Sequence, residues 1–287
     1  MNDCILRAEA VHFEYEDKTP ALNGIELSVG RGEKLAVMGA NGSGKSTFFL
    51  CLNGVNRPKS GALYLDGEPY RYSSKALLAL RSRVGIVFQD PDNQLFSADV
   101  YGEIAFGALN LGLPEKEVRR RVEKVMDELK LTALADKPVH LLSGGQKKLI
   151  AIADVLVMEP DIILLDEPSA ALDPHNARLV DHVIDSLSLK GITVILSTHD
   201  VDRALTWADS IVLLDKGRVL AKGAPCDILK DEALLIKSNL EKPAVLSLFL
   251  ALCDKGLLPA GLPVPRSGSQ LLEYITGHMK PRQQKGL

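Results

Sequence analysis

The sequence predicts an α/β protein built on a mainly parallel β-sheet. Four short apolar runs that each end in a polar residue are typical of buried parallel strands: "LAVMG" at 35–39, "VGIVFQ" at 84–89, "IILLDE" at 162–167 and "TVILSTH" at 193–199. A helical pattern fills the chain between the second run and the third. Segments punctuated by turns before residue 66 indicate a smaller antiparallel sheet beside the parallel one.

The elements around these four strands follow from local patterns. Alternating or turn-bounded segments at 25–29 and 62–65 predict the antiparallel sheet, and "IVLLDKGRVLAKG" at 211–223 predicts a hairpin that turns at Lys216 and Gly217. Pro114 opens a helix whose apolar residues share one face. These residues are Val118, Val122, Val125, Met126 and Leu129. We therefore expect a helical subdomain over about 90–160.

The domain boundary is predicted at residue 225. Residues 1–225 hold the strands, the helical subdomain and the motifs described below, whereas 226–287 read as a helical extension with a polar tail from Lys280. Within the extension, "AVLSLFLALC" at 244–253 is apolar all round, which favours a helix buried in the core or against a second subunit over one that lies on a membrane surface.

Composition limits the function. The 287 residues are 46% hydrophobic and 25% charged, which is enough for a full core. A net charge of −3, from 34 basic and 37 acidic residues, gives no positive field for a polyanion, so no nucleic-acid partner is expected. The four cysteines form no CxxC pair, as in reduced cytoplasmic proteins. Uncharged runs fall short of the roughly 20 residues that span a bilayer.

The stretch "GANGSGKST" at 39–47 fits a phosphate-binding P-loop. Glycines let backbone N–H groups face a phosphate, Lys45 neutralises the β and γ oxygens, and Ser46 offers a hydroxyl to Mg²⁺. A plain glycine-rich turn is the alternative, but it leaves Lys45 unexplained. The candidate nucleotide-binding residues are Gly39, Asn41, Gly42, Ser43, Gly44, Lys45, Ser46 and Thr47.

Two carboxylates end the buried strand "IILLDE". Asp166 would hold Mg²⁺ through its water shell and Glu167 would polarise the attacking water, unless the pair is only an exposed acidic turn. Gln89 and His199 end two other strands, and His199 either reaches the γ-phosphate or is structural. Because ligands bind beyond the carboxyl ends of parallel strands, one site is expected to collect all four residues.

A second phosphate cradle is predicted in "HLLSGGQKK" at 140–148. Ser143 would cap a helix through "KKLIAIADVLV", with its free N–H groups and positive end facing outward. The first pocket already has a lysine, a metal and a base. A second cradle on a separate subdomain is useful if it closes on the nucleotide of another subunit.

These motifs together resemble those of the ATP-binding cassette (ABC) transport ATPases over nearly all of residues 3–225. The resemblance implies an ABC cassette of the P-loop NTPase fold that binds ATP and Mg²⁺, with Ser46, Gln89 and Asp166 at the metal. It implies that Tyr15 in "VHFEYED" stacks on adenine and that Asp173, ending the D-loop "SAALD", lies at a dimer seam. Signature residues "LSGGQ" are Leu142, Ser143, Gly144, Gly145 and Gln146.

A finer resemblance is carried by "VGIVFQDPDNQLF" at 84–96, "VYGEIAFGALNLGL" at 100–113 and "EKPAVLSLFLAL" at 241–252. They resemble the energy-coupling factor group, whose ATPases drive uptake of cobalt, nickel or vitamins. That implies a second ATPase subunit (a copy or a paralogue), a membrane scaffold and a substrate-binding membrane component. It also implies a peripheral location on the cytoplasmic face of the cell membrane. Cobalt or nickel is favoured.

Two positions depart from the family pattern. Leu149 stands where the family usually has arginine, and Asp154 where it has a small residue.

A groove that accepts a helix of the membrane scaffold is expected along residues 89–106. Leu95, Phe96 and Phe106 would form its floor unless they are core residues.

Other functions fit the sequence less well. ABC ATPases of DNA repair carry a long coiled-coil insertion, those of translation join two cassettes in one chain, and a kinase or GTPase has no use for "LSGGQ".

Overall fold

The computed structural model describes residues 3–278. The predicted polar tail from Lys280 lies outside these residues. Strands are β1 Cys4–Glu14, β2 Pro20–Gly30, β3 Lys34–Met38, β4 Ser60–Leu65, β5 Glu68–Pro69, β6 Val84–Val87, β7 Ile162–Asp166, β8 Thr193–Ser197, β9 Ser210–Asp215 and β10 Arg218–Gly223. Helices are α1 Lys45–Leu52, α2 Ser74–Arg83, α3 Val100–Asn110, α4 Glu115–Glu128, α5 Gly144–Leu156, α6 Pro174–Leu189, α7 Val201–Trp207, α8 Pro225–Lys230, α9 Glu232–Lys237, α10 Ala244–Asp254 and α11 Gly268–His278.

The central sheet has the order β10-β9-β3-β8-β7-β6. Its strands are parallel except for β10, which forms the predicted hairpin with β9. The four predicted parallel strands are confirmed, and their register aligns their carboxyl ends: Ser197 of β8 pairs with Val37 of β3 on one side and with Asp166 of β7 on the other. The residues that follow these strands therefore meet at one edge of the sheet.

The second sheet is antiparallel, with the order β2-β1-β4-β5, as predicted. Helix α1 lies between the two sheets, where Phe48 and Phe49 are fully buried in a core shared by strands of both. Alternate residues of β3 face this core and the core on the opposite side, so the strand is apolar throughout. The start of α1 is consequently held from both sides.

Helices α3 to α5 form the helical region on the other face of the central sheet. The predicted face of α4 is confirmed, since Val118, Val122, Val125 and Met126 are buried. Helix α5 packs so closely on β6 that a Cβ at Gly85 would lie 2.1 Å from Val155 Cγ1. This contact connects α5 to the strand that precedes Gln89.

The C-terminal helices pack on the cassette through α8, α9 and the start of α10. Further along, Phe249, Leu258 and Leu271 form a small separate cluster. Helix α10 packs on the rest of the chain along one face, whereas Leu248 on the other face is 52% exposed, so burial of that face against a second subunit stays a prediction. Within residues 3–278, the structure contains no helix with the length and apolar character that a bilayer span requires.

Candidate nucleotide-binding site

A cavity of about 610 Å³ opens at the carboxyl edge of the central sheet. It collects most of the predicted site residues, namely Tyr15, Gly39, Asn41, Gly42, Gly44, Lys45, Ser46, Thr47, Gln89, Asp166, Glu167 and His199. Ser43 lies in the same loop with its side chain buried. The structure therefore brings the two halves of the predicted chemistry, the glycine loop and the carboxylates, to one place.

The glycine loop is shaped by the turn from β3 into α1. Gly39 adopts a φ of 144°, and a Cβ there would lie 2.2 Å from the carbonyl oxygen of Leu214. Gly44 precedes α1 with a φ of 104°, so a side chain is excluded there by conformation and by the nearby Ala21 carbonyl. The loop is thus held open at the amino end of α1, where N–H groups and the helix dipole favour an anion.

Lys45 points back into this loop. Its ammonium group donates to the carbonyl oxygens of Gly39, at 2.7 Å, and Ala40, at 3.1 Å. Burial lowers the pKa of Lys45, while the charges of Glu167 and Asp166 act in the opposite direction. The loop therefore presents a cation that is held only by neutral carbonyl groups and is available to an anion.

The two carboxylates are organised by Ser197 at the end of β8. Ser197 Oγ donates to Asp166, which is 7% exposed, and it accepts a hydrogen bond of 3.0 Å from the Glu167 N–H. Glu167 has a φ of 44°, a left-handed conformation that is uncommon outside glycine and is frequent at functional sites. His199 Nδ1 lies 3.0 Å from Glu167 Oε2. The Glu167 side chain is thereby aimed into the cavity beside His199.

Tyr15 also lines the cavity. Its hydroxyl lies 2.6 Å from Thr47 Oγ1, and its ring meets Phe13 edge to face at 5.3 Å between centroids. The side chain is 44% exposed, which leaves a ring face open to a planar group.

Sequence reasoning missed Ser197, which holds the two carboxylates, and several residues that line the cavity. Ser197 stands out in the sequence as a polar residue at the end of an apolar run, but that pattern alone gives it no role. Thr19, Pro20 and Ala21 follow Tyr15 closely and also line the cavity. Asn239 and Leu240 come from the segment after α9 and also line the cavity. No sequence pattern indicates this, because only the tertiary fold brings that segment back to the cavity.

The signature residues lie elsewhere. Ser143 begins α5 with a capping box, in which its Oγ accepts from the Gln146 N–H and its own N–H donates to Gln146 Oε1. The predicted cap is confirmed. Residues Ser143, Gly144, Gly145 and Gln146 do not line the cavity described above.

Gly145 is close to the first turn of α6, since a Cβ there would lie 2.5 Å from the Asn176 side chain. Asp173 caps α6 and accepts from the N–H groups of His175 and Asn176, and these bonds, that of Asn176 first, lower its pKa. The single chain thus gives Asp173 a capping role, and its place at a dimer seam stays a prediction.

Oxygen donors in the cavity match a magnesium ion better than a softer metal. Ser46 and Asp166 line the cavity together, while no group of three or more His, Cys, Asp or Glu side chains suited to a metal occurs in the described part of the chain. Mg²⁺ commonly takes one or two protein oxygens and completes its shell with phosphate and water. The residues present fit that arrangement.

The two departures from the family pattern lie on α5. Leu149 is partly buried and packs against the main core. Asp154 accepts a hydrogen bond of 3.3 Å from Gln94 Nε2 and lines a groove between α5, α3 and β6. Burial raises the pKa of Asp154 to about 7; the hydrogen bond from Gln94 opposes this shift and the charge of Glu103 adds to it.

Comparison with known proteins agrees with this geometry. The family model described as "ABC transporter" matches residues 22–170. The energy-coupling factor transporter ATP-binding protein EcfA3 of Clostridium perfringens is 44% identical over 256 residues, which cover 89% of this chain and 90% of that protein.

Solved structures give the same result. CbiO1 from Clostridium perfringens, described as part of the ABC transporter complex cbiONQ, superposes with a TM-score of 0.73 at 44% identity and covers 86% of this chain and 99% of its own. A dimeric ATP-binding cassette, MJ0796 bound to ADP and Pi in a post-hydrolysis state, has a TM-score of 0.70 at 26% identity, with 77% of this chain and 99% of its own covered.

The chain belongs to the ABC transporter family of ATP-binding cassettes. Within it, the chain is the ATP-binding subunit of an energy-coupling factor transporter, an ATPase that drives transport. The predicted fold class is confirmed, and DNA-repair and translation functions are not favoured.

Replacing Asp154 by Asn is expected to stabilise the protein in a pH-dependent way. With a pKa near 7 in the folded state against the usual 3.8, the folded chain holds a proton that the unfolded chain has lost, so stability falls as pH rises from about 4 to about 7. The gain from Asp154→Asn should therefore be larger at pH 8 than at pH 5, by about 1–3 kcal/mol. Melting temperatures at both pH values measure it, with Asp136→Asn at an exposed carboxylate as control. An equal change in melting temperature at pH 5 and pH 8 would contradict the raised pKa of Asp154.

Proposed function

We propose that the cavity hydrolyses ATP through the residues that converge in it. The observation that carries the proposal is the common location of Lys45, Ser46, Gln89, Asp166 and Glu167 at one sheet edge. Lys45 and the loop N–H groups bind the β- and γ-phosphates, and Tyr15 stacks on adenine. Ser46, Gln89 and Asp166 would hold Mg²⁺, which supplies positive charge at the phosphates when bound.

Glu167 acts on the attacking water in this proposal. Its carboxylate lies beside His199 and is aimed by the bonds that its N–H makes to Ser197. It accepts a proton from the water, while His199 orients Glu167 and contacts the γ-phosphate. Gln89, the first polar residue after β6, senses whether the γ-phosphate is present.

The signature residues complete the site of a second subunit. Ser143, Gly144, Gly145 and Gln146 form a helix amino terminus outside their own chain's cavity, which is what a composite site requires. The dimeric state of the related ADP- and Pi-bound cassette supports this arrangement. The partner is a second copy or a paralogue. In either case Asp173 lies near the seam.

The transported solute is a transition metal ion, with cobalt or nickel favoured, or a vitamin. The subunit acts at the cytoplasmic face of the membrane, bound to a scaffold subunit and a substrate-binding membrane component; the complex named for the related cbiO1 supports such an assembly. Metal analysis of the whole complex purified from membranes tests the choice. Bound cobalt or nickel supports a transition metal ion as the transported solute, and a bound vitamin without metal contradicts that choice.

The scaffold docks in the groove between α3, α5 and β6, which has a volume of about 420 Å³. Val55, Leu78 and Phe106 line it and are each more than 40% exposed. Phe96 packs edge to face on Phe106, at 4.6 Å between ring centroids, and is 64% exposed. Leu95 packs against the core, and Phe96 borders the groove through its contact with Phe106 and does not line the groove itself. An exposed apolar groove of this kind suits a short amphipathic helix.

Glu167→Gln is expected to keep ATP binding and lose most turnover, because Lys45, Ser46 and Asp166 still hold the nucleotide while the water loses its base. The loss should be on the order of 10²–10⁴-fold in kcat. Lys45→Ala should lose binding instead, so the two variants separate binding from chemistry. ATPase rate and nucleotide affinity are measured together. Near-normal turnover of Glu167→Gln would exclude Glu167 as the base.

Phe96→Asp is expected to weaken scaffold binding about 10- to 100-fold, because a charge replaces apolar surface that the helix would cover. The isolated subunit should keep its melting temperature and basal ATPase activity, since Phe96 is already exposed. Leu189→Asp, at a leucine that is 90% exposed on α6, is the matched control. Normal assembly and transport with Phe96→Asp would remove the support for this groove.

A further inference from the structure

Lys148 is a buried cation that the proposed mechanism does not use. It lies on α5, five residues after Ser143, and is 1% exposed. Its ammonium group donates to the carbonyl oxygens of Phe88, at 2.9 Å, and Gln89, at 2.6 Å. Burial lowers the pKa of Lys148 to about 8, while the charges of Asp90 and Asp166 act in the opposite direction.

Burying an ammonium group is costly unless it is hydrogen-bonded, so these bonds constrain the structure strongly. They fix the backbone at the position where β6 ends and the segment 88–94, which we call the Gln89 loop, begins. A lysine could have reached solvent along its flexible stem, but here it is directed inward. The contact is therefore specific to the backbone on either side of Gln89.

Two other side chains of the Gln89 loop, Gln94 and Asp92, also contact α5. Gln94 Nε2 donates to the Ala151 carbonyl oxygen at 2.9 Å, while Gln94 Oε1 accepts from the Phe88 N–H. Lys147 Nζ pairs with Asp92 at 2.6 Å, but Asp92 is largely exposed and such a pair is weakened by solvent. Both ends of the loop are thus attached to the helix that Ser143 begins.

We infer that Lys148 is a positioning residue that makes the Gln89 loop and α5 move as one body. When Gln89 shifts on gain or loss of the γ-phosphate, the ammonium group carries α5, and with it Ser143, in the same motion. The inference rests on the proposed function in taking Gln89 as a γ-phosphate contact.

The test compares Lys148→Met, which keeps the apolar stem and removes the donors, with Lys148→Arg, which keeps a buried donor. Lys148→Met should lower the ATPase kcat about 10-fold, because charged hydrogen bonds that orient the site are lost. The KM for ATP should change little, since the P-loop is untouched, and Lys148→Arg should recover much of the rate. Lys147→Met on the same helix is the matched control and should stay within about twofold of the wild type.

A wild-type kcat in Lys148→Met overturns the inference, as does a rise in KM equal to the fall in kcat, or an arginine variant as slow as the methionine variant. Hydrogen exchange of the wild-type chain needs no variant. The backbone amides of segments 88–94 and 144–151 should change their protection from exchange together when the ADP-bound and ATP-bound states are compared. A change in one segment without the other overturns the inference. If the wild-type chain hydrolyses no ATP, the proposed function fails instead, so the two failures are distinguishable.

Discussion

The position of β8 between β3 and β7 is the constraint on which the nucleotide site depends. Ser197, at its end, pairs with Val37 on one side and Asp166 on the other, so the glycine loop after β3 and the carboxylates at the end of β7 lie at one edge of the sheet, on either side of β8. Ser197 then uses its hydroxyl on Asp166 and on the Glu167 N–H. Helix α1, buried between two sheets, holds the other side of the cavity. Backbone register thus sets the distance between the glycine loop and the carboxylates proposed to be catalytic.

The second constraint is the separation of the amino termini of α1 and α5, the two helix ends proposed to bind phosphate. The α1 terminus faces the cavity of its own chain, while the α5 terminus caps itself with Ser143 and Gln146 and faces away. In the composite arrangement proposed above, the site stays incomplete until another cassette supplies the signature residues, and ATP hydrolysis then depends on association of the two subunits.

Much of this was predictable because it depends on local pattern. Buried parallel strands are short apolar runs, a Ser with Gln three residues later marks a helix start, and a glycine loop with lysine follows from phosphate chemistry. The structure confirms Ser143 as a cap and the strand ends near Asp166 as one edge.

The residues that sequence reasoning missed depend on tertiary contacts. Asn239 reaches the cavity only because the segment after α9 folds back on the cassette, and nothing in its neighbours indicates this. Lys148 resembles any solvated helix lysine until α5 is placed against the end of β6. For α10, the apolar pattern around the whole helix predicts burial in the core or against a second subunit; neighbours in the single chain cover one face, and the second subunit stays a prediction.

The composite site is the central claim, and complementation between two inactive variants tests it most directly. Ser143→Arg blocks the signature end and Lys45→Ala the P-loop, so neither variant alone should form a working site. A mixed dimer pairs the intact Lys45 of one chain with the intact Ser143 of the other. An equal mixture under exchange conditions should then regain about a quarter of the wild-type ATPase activity, as random pairing in a symmetric dimer with independent sites predicts. A mixture as inactive as its components would contradict the claim.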